Sequence, residues 1–330
     1  MTLTRITDHV AAIELPLPLE GLTSVNCYVL RGDTEAVLVD PGWSSPETER
    51  TLLDGLDELG LAPADIGRVL TTHHHWDHYT QAITWQGRHG IPVHLGRGDA
   101  PSIHAWHTLD GAFPRQVGLL EQAGASAMAA AVQAMPAEVH EQDMDFDLPA
   151  GWIDDGAEID LGGLLVRAHA TPGHTRGHVC FEIVGEDLLL SGDHVLPRIT
   201  PSIAYEREPS EDSLTSYLGS LRLVADLSDA RLLPAHGAIG DSAAQRAKEL
   251  IVHHDERLDV IRDLVDAGRS TAHKIAAAMT WTRRERRLDD LELIHQMTAV
   301  LEVAAHLVVL EKAGAVRRER VSGIDHHTAT

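Results

Sequence analysis

The residues best suited to chemistry lie together in residues 72–78, which read Thr-His-His-His-Trp-Asp-His. Histidine is the side chain that binds metals most often. In an extended segment, residues two apart face the same side, so His73 and His75 can bind one metal ion together. The turn that follows can direct Asp77 and His78 toward a second ion. We therefore predict a metal centre at this segment.

Three more residues of metal-binding type each stand in a turn with glycine or proline that follows an apolar stretch. Such turns let separate parts of the backbone approach one point. With residues 72–78 they form two groups of three ligands and one bridge. The predicted ligands are His73, His75 and His174 for the first ion, Asp77, His78 and His236 for the second, and Asp193 for both.

Imidazole and carboxylate ligands suit zinc, with iron or manganese as alternatives. Two ions about 3.5–4 Å apart lower the pKa of a shared water from about 15.7 toward neutral. This predicts a bridging hydroxide that attacks a carbonyl or phosphoryl centre. Asp77 and Asp193 are the predicted catalytic residues, because they would hold and orient that nucleophile. A centre with a single ion stays open, since one ion can dominate when supply or affinity is unequal.

Four neighbouring residues are candidates for supporting or substrate-binding roles. We expect His74 to face away from the ions as a supporting or packing residue. His178 either supports the site through a hydrogen bond or is a buried structural histidine. His194 is a candidate substrate contact, with a structural role as the alternative. Tyr205 is a candidate donor to an oxyanion.

Short apolar strands must deliver these turns, and a strand pattern precedes each of them. The predicted strands cover residues 26–30, 36–39, 68–71, 91–95, 164–169, 179–184, 187–190 and 231–234. A helix is predicted over residues 46–59, with Ser45 as its cap and Pro46 in its first turn. Residues 96–150 instead mix helical stretches with Gly, Pro and acidic residues, and we interpret them as an insertion that forms a lid. His104, His107 and His140 fall in that insertion, at surface or lid positions.

Beyond residue 241 the pattern becomes helical. Helices are predicted at 242–267, 271–279 and 289–313, and a strand at 316–321. We therefore divide the chain into a catalytic domain over residues 1–241, a helical, winged-helix-like appendage over 242–322 and a disordered tail over 323–330.

The ligand pattern resembles that of the metallo-β-lactamase-fold hydrolases. His-x-His-x-Asp-His over residues 73–78, followed by His174, Asp193 and His236, matches their dinuclear set position by position. Glyoxalase II (hydroxyacylglutathione hydrolase) is especially similar around residues 72–78 and 171–178. The resemblance covers about residues 6–240 and implies an α/β (α+β) fold, a four-layer αββα sandwich with the metals at one edge of the two sheets.

The resemblance favours hydrolysis. Position 75 is His where the flavo-diiron oxygen reductases carry Glu, and true β-lactamases lack an aspartate at the place of Asp193. Residues 194–201 depart from glyoxalase II and are more similar to a broad bacterial group of this fold, some with a winged-helix appendage. Persulfide dioxygenases, which use one iron, share much of the ligand set and stay open.

We expect a small ester-like substrate, above all an acyl thioester. Lactonase activity and phosphodiesterase or ribonuclease activity are the alternatives within the same fold. A partner-binding module with a vestigial site is the alternative outside catalysis.

The formal net charge of −23 opposes binding to nucleic acid and docking on anionic membranes. Residues 283–287, Arg-Arg-Glu-Arg-Arg, are the one dense basic stretch of the sequence. We interpret it as a solvated connector, with contact to RNA or to coenzyme phosphates as the alternative. Two cysteines and an N-terminus without an apolar run indicate the cytoplasm. The expected partners are a small-molecule substrate and a second copy of the chain in a homodimer.

Overall fold

The computed structural model describes residues 2–19, 21–136, 144–203, 205–227, 229–282 and 284–330. Their strands form two large sheets and one small hairpin. The first sheet contains, in spatial order, β1 (Thr2–Arg5), β2 (Val10–Pro16), β3 (Ser24–Arg31), β4 (Ala36–Val39), β5 (Ile66–Thr71), β6 (Val93–Gly96) and β7 (Gly151–Ile153). Strands β1 to β4 pair antiparallel, and β4 to β7 pair parallel.

The second sheet has five strands and includes the other strands predicted before residue 241. They are β8 (Glu158–Asp160), β9 (Leu165–Ala170), β10 (Val179–Val184), β11 (Leu188–Gly192) and β12 (Arg231–Pro234). The spatial order is β12-β11-β10-β9-β8. Only the β11–β12 pair of this sheet is parallel. The bounds predicted for β4, β10 and β12 are those observed, and the other strands predicted for these two sheets shift by one or two residues.

Nine helices are described in these residues. They are α1 (Pro46–Glu58), α2 (Trp76–His89), α3 (Ala100–Thr108), α4 (Gln116–Gln122), α5 (Ser126–Gln133), α6 (Ser213–Asp226), α7 (Ala243–Asp266), α8 (Ala272–Ala278) and α9 (Leu293–Lys312). Ser45 caps α1 as predicted, since its side chain accepts a hydrogen bond from the Thr48 N–H. Thr271 caps α8 in the same way. Helices α2 and α6 were not predicted.

Alternating side chains on the strands explain the layers. On β3, Val25, Cys27 and Val29 join the core beneath α1 and α2, whereas Tyr28 and Leu30 face the second sheet. The outer face of the second sheet packs against α6 and α7 through residues such as Leu189. Residues two apart on a strand share a face, so each sheet is buried on both sides. The result is the four-layer αββα sandwich.

The insertion and the C-terminal helices share one core, which the predicted division into a lid and a separate appendage did not anticipate. Leu120 on α4 and Ala129 on α5 pack in the same buried cluster as Ile275 on α8 and Val300 on α9. Helices α4 and α5 are therefore held in place by the C-terminal helices. His104 and His107 lie on α3, and His140 lies outside the described residues.

The predicted disordered tail is wrong. Residues Ile324–Ala329 form β14, which pairs antiparallel along its whole length with β13 (Val316–Val321). Ser322 and Gly323 join the strands and both have positive φ, which is typical of a tight two-residue hairpin. His327 N–H also donates to the Ser270 carbonyl at 2.7 Å. These bonds tie the C-terminus to the helical region.

Helix α9 alone among the described helices is long and apolar enough to cross a membrane by length and composition. In the structure it contacts α4, α5, α7 and α8. Met297, Val300 and Leu307 are fully buried in the shared core. Packing inside the protein therefore accounts for its apolar character.

Candidate metal centre

The predicted ligands follow strands that end at a common edge of the two sheets. Strand β5 leads to His73, β9 to His174, β11 to Asp193 and β12 to His236. Strands β9, β11 and β12 run in the same direction, because β10 is antiparallel to both of its neighbours and β12 is parallel to β11. Their carboxyl ends therefore meet on one side, where binding residues collect in sheets of this kind.

The ligand atoms of the first predicted group lie close together, as expected if His73 and His75 face the same side of an extended segment. The ligand atoms of His73, His75 and His174 all lie within 4.8 Å of one another. His75 Nδ1 and His174 Nε2 are 3.0 Å apart. The other ring nitrogen of His174, Nδ1, donates to the Ser202 carbonyl at 2.8 Å. That bond fixes the tautomer so that Nε2 presents its lone pair to the centre.

The second group converges beside the first. Ligand atoms of Asp77, His78 and His236 lie within 4.8 Å of one another. His236 Nε2 is 3.3 Å from Asp77 Oδ2 and 3.3 Å from Asp193 Oδ1. The other oxygen of Asp193, Oδ2, lies 3.5 Å from His174 Nε2. Asp193 thus faces both groups, one oxygen to each, in the position predicted for a bridge.

Buried atoms without hydrogen-bond partners show that these groups fit metal ions. Nε2 of His73, His78 and His236 and Oδ1 of Asp193 are buried and have no hydrogen-bond partner among the described residues. Polar atoms left in that state are costly unless something binds them. Three of these atoms belong to the two converging groups and the fourth to Asp193, which faces both, so the arrangement suits binding of divalent metal ions.

The electrostatics also favour a cation at the second group. Burial opposes charge on His78, but the carboxylates of Asp77, Asp40 and Asp193 raise its pKa to about 10. Burial likewise opposes charge on Asp77, yet His78 and His236 lower its pKa to about 2. Without metal, a proton supplies the positive charge that these carboxylates attract. A divalent ion would replace that proton.

The first group is electrostatically different. Burial, followed by the mutual repulsion of neighbouring imidazoles, lowers the pKa of His73 and His75 well below the usual value. Burial is also the largest cause of the lowered pKa of His174. Neutral imidazole is the form that binds metal. These three rings are therefore in the binding form at neutral pH.

Helix α2 begins inside the metal-binding segment. His75 is its N-cap, and Asp77 and His78 belong to its first turn. The sequence analysis placed Asp77 and His78 in a turn, and the helical continuation was missed. The helix fixes Asp77 and His78 relative to His75, and its N-terminal dipole stabilises a carboxylate at that end.

Asp40 is a supporting residue that the sequence analysis did not single out. Its Oδ2 accepts a hydrogen bond from His78 Nδ1 at 2.9 Å and from the Thr72 hydroxyl at 2.7 Å. Its Oδ1 accepts from the Thr72 N–H at 2.8 Å. Asp40 also has a positive φ of 54°, which is uncommon for a residue with a side chain and concentrates at functional sites. Asp40 therefore orients His78 and anchors the start of the metal-binding loop.

Asp99 joins two of the loops that carry predicted metal ligands, and the sequence analysis did not identify it. Its Oδ2 accepts the N–H of His74 at 2.9 Å, and its Oδ1 accepts the N–H of Gly177 at 2.7 Å. His74 stands between two predicted ligands, and Gly177 follows His174. The ring of His74 faces Asp99 and Glu206, away from the two groups. Burial, and then the charge of Asp99, raises the pKa of Glu206 to about 7.

His178 supports the Asp193 turn. Its Nδ1 lies 2.8 Å from the Thr171 hydroxyl, and its Nε2 accepts the N–H of Asp193 at 3.2 Å. Gly192 makes this approach feasible, because a Cβ there would lie 2.6 Å from His178 Nε2 and 2.7 Å from the Thr72 side chain. Its φ of 51° also favours glycine.

The two candidate substrate contacts differ. His194 is fully buried, and its ring contacts Tyr217 and His178 with centroids 5.0 and 5.8 Å apart. It therefore lies behind the Asp193 turn, and the expected substrate contact does not fit this position. The half-buried Tyr205 ring lies 6.0 Å from the His75 ring and 5.8 Å from Phe113. Tyr205 thus stays a candidate beside His75.

Comparisons with known proteins agree with this arrangement. The family model of the Metallo-beta-lactamase superfamily matches residues 21–236. An uncharacterized protein of Mycobacterium bovis is 34% identical over 233 residues, which cover 68% of this chain and 92% of that protein. The lactamase-like protein aptB of Emericella nidulans is 26% identical over 292 residues, 84% of this chain and 75% of that protein.

A solved structure extends the likeness to the C-terminal region. A metallo-beta-lactamase family protein from Thermus thermophilus is 27% identical with a TM-score of 0.79, covering 99% of this chain and 100% of that one. The two-sheet sandwich with His/Asp groups at its edge defines a class of metal-binding hydrolases. This chain belongs to the metallo-beta-lactamase superfamily.

Proposed function

We propose that this protein is a dinuclear metal-dependent hydrolase that cleaves an acyl thioester. The observation that supports two ions is the position of Asp193, whose two oxygens face His174 and His236 in separate donor groups. His73, His75 and His174 would hold one ion, and Asp77, His78 and His236 the other. We propose zinc for both, because imidazole and carboxylate ligands suit it.

The bound ions would supply Lewis acidity and lower the pKa of water so that a hydroxide nucleophile forms near neutral pH. Asp77 and Asp193 orient that nucleophile, since one carboxylate oxygen of each lies 3.3 Å from His236 Nε2. Water adds to the acyl carbon, the carbon–sulfur bond breaks, and the products are a carboxylic acid and a thiol. Tyr205, whose ring lies 6.0 Å from that of His75, donates to the developing oxyanion.

A thioester suits this site because its leaving group needs no proton donor. A thiol has a pKa of about 8.5 and departs as the thiolate, whereas an alkoxide must be protonated as it leaves. Among the described residues, the imidazoles at the centre are candidate ligands, and His194 is buried behind the Asp193 turn. Neither the ligand imidazoles nor His194 is therefore placed to protonate an alkoxide. Cys27 and Cys180 are buried free thiols, which fits the cytoplasm that we propose.

The variant Asp193→Ala tests the assignment. Loss of the residue that faces both donor groups should lower kcat for thioester hydrolysis by about 10³-fold or more. The assay compares thioesters, lactones and phosphodiesters on one zinc-loaded sample, with His104→Ala on the exposed face of α3 as the control. Hydrolysis of lactones or phosphodiesters alone would reject the thioester. Near-normal turnover by Asp193→Ala with two ions bound would reject the role of Asp193.

A further inference from the structure

A cleft of about 670 Å³ lies between the chain segment after Asp193 and the beginning of α9. Ile199 and Thr200 line one side. The turn that ends at Arg286 and the first residues of α9 line the other. Small-molecule sites typically measure about 300–1,000 Å³, so the cleft has the size of a ligand site.

A short piece of chain joins one wall of the cleft to a residue that supports the candidate metal centre. The segment that lines it runs from Asp193 to Ser202, whose carbonyl holds His174 Nδ1 at 2.8 Å. Thr200 is two residues from Ser202, so their Cα atoms are at most about 7 Å apart. A hydrogen bond of 2.8 Å from Arg246 Nε to the Leu196 carbonyl holds the same segment in place. The wall of the cleft at Thr200 therefore lies close enough to His174 for an elongated substrate bound at the centre to reach it.

The opposite wall is a tightly anchored turn. Trp281 and Arg286 exchange two backbone hydrogen bonds of 2.8 Å. The Trp281 ring is buried, donates to the Ala276 carbonyl at 2.9 Å and lies under the Arg257 guanidinium at 4.4 Å. Thr282 and Glu285 have φ values of 64° and 52°. Backbone in this rarely adopted conformation persists where the surroundings hold it and concentrates at ligand sites.

This turn presents two uncompensated positive charges. Arg284 and Arg286 are exposed, line the cleft and form no ion pair with a described residue. Two glutamates line the cleft. Glu302 forms an ion pair with Arg257 at 3.5 Å, and Glu292 forms no ion pair with a described residue. Two guanidinium groups without an ion pair therefore face a cleft with one unpaired glutamate, in a chain of net charge −23. Guanidinium groups favour phosphate oxygens because their donors match them two at a time.

We infer that this cleft binds the phosphate-bearing end of the substrate's thiol leaving group, so that the substrate is the thioester of a small phosphorylated coenzyme. The inference rests on the proposed function for the thioester bond and on the cleft for the phosphate. RNA is the competing ligand for arginines, but its polyanionic backbone would face the acidic surface beyond the two-arginine site.

The test compares Arg284→Ala/Arg286→Ala with Arg50→Ala/Arg222→Ala. The control removes two exposed arginines from α1 and α6, which also form no ion pair with a described residue. Calorimetry first measures binding of adenosine 3′,5′-bisphosphate to each protein. The cleft variant should bind at least about tenfold more weakly, because charge-assisted hydrogen bonds are lost, and the control should match the wild type.

Kinetics then compare two thioesters of the same acyl group, one of coenzyme A and one of uncharged N-acetylcysteamine. In the cleft variant the ratio of their kcat/KM values should fall by roughly tenfold, mainly through KM for the coenzyme A thioester. An unchanged ratio and unchanged bisphosphate binding would overturn the inference while the thioesterase proposal stands. If no thioester is hydrolysed but bisphosphate binding depends on the two arginines, the phosphate site stands and the proposed function fails. Arginine-dependent binding of single-stranded RNA that outcompetes the bisphosphate would also overturn the inference.

Discussion

At the scale of single residues, Asp40 links backbone strain to the metal centre. It adopts a positive φ of 54° and uses both carboxylate oxygens on Thr72 and His78. A partner of this kind fixes the tautomer and raises the basicity of the imidazole that it holds. The hydrogen bonds to Thr72 and His78 therefore compensate for the strained backbone of Asp40, and they hold the His78 ring in the orientation that binds metal.

Asp40→Asn should weaken binding of the ion held by His78 by about 10- to 100-fold. The asparagine side chain has one accepting oxygen in place of the two that Asp40 uses. Competition with a chelator of known zinc affinity measures this, and Asp54→Asn on the exposed face of α1 is the control. Equal affinity in Asp40→Asn and the wild type would show that Asp40 does not support the ligand.

The predicted ligands could be found from sequence because their signal is local. His73 to His78 lie in one segment, and His174, Asp193 and His236 each stand in a turn beside a strand. Asp40 and Asp99 act at long range, on Thr72, His78 and Gly177, 32 to 78 residues away along the chain. No sequence spacing marks such a contact, so only the folded chain shows it.

At the scale of elements, helices α7 and α9 meet through two buried histidines. His254 Nδ1 and His306 Nε2 are 3.1 Å apart, and His306 Nδ1 donates to the Glu302 carbonyl at 2.7 Å. Burial lowers the pKa of His306 to about 4 and that of His254 to about 2. Both rings are therefore neutral in the folded protein at pH values where the unfolded chain protonates them.

This contact predicts acid lability of the helical region. His306 has a folded pKa below its unfolded value of about 6.5, so its contribution is fully present above pH 6.5 and is lost as the pH falls toward 4. The shift corresponds to about 3 kcal/mol. Urea unfolding at pH 7.5 and 4.5 should show a smaller loss of stability for His306→Gln than for the wild type, with His104→Gln as the control. The same pH dependence in all three proteins would contradict the buried neutral pair.

Other elements show where local patterns stop being informative. The start of α2 was missed because residues 73–78 carry ligands instead of an apolar helical face. The C-terminal strand β14 was missed because the charged and polar residues 325–328 suggest solvent, although Ser322-Gly323 is a hairpin signal. In both cases tertiary partners decided the conformation.

At the scale of the whole molecule, the insertion and the C-terminal helices form one buried cluster with residues such as Leu120, Ala129 and Val300. This joint core was not predictable from periodicity, which gives helices but not their partners. It places the C-terminal region beside Tyr205, which packs on the same cluster. The winged-helix assignment of this region stays a prediction.

Removal of residues 243–330 should therefore destabilise the catalytic part. The truncation would expose apolar side chains that the C-terminal helices bury, among them Leu120, Ala123 and Val132. Each large side chain exposed lowers the free energy of unfolding by about 1.5–3 kcal/mol. The truncated chain should bind a hydrophobic dye and unfold at a lower temperature than the full chain, in scanning fluorimetry. A monomeric truncated chain with an unchanged melting temperature would contradict the shared core.

The metal content of the purified chain tests the central claim most directly. Elemental mass spectrometry after saturation with zinc and removal of free metal should give two ions per chain for the wild type, and about one for His236→Ala, which removes a donor from the second group alone. Two ions in both proteins, or none in the wild type, would contradict a dinuclear centre built from these residues.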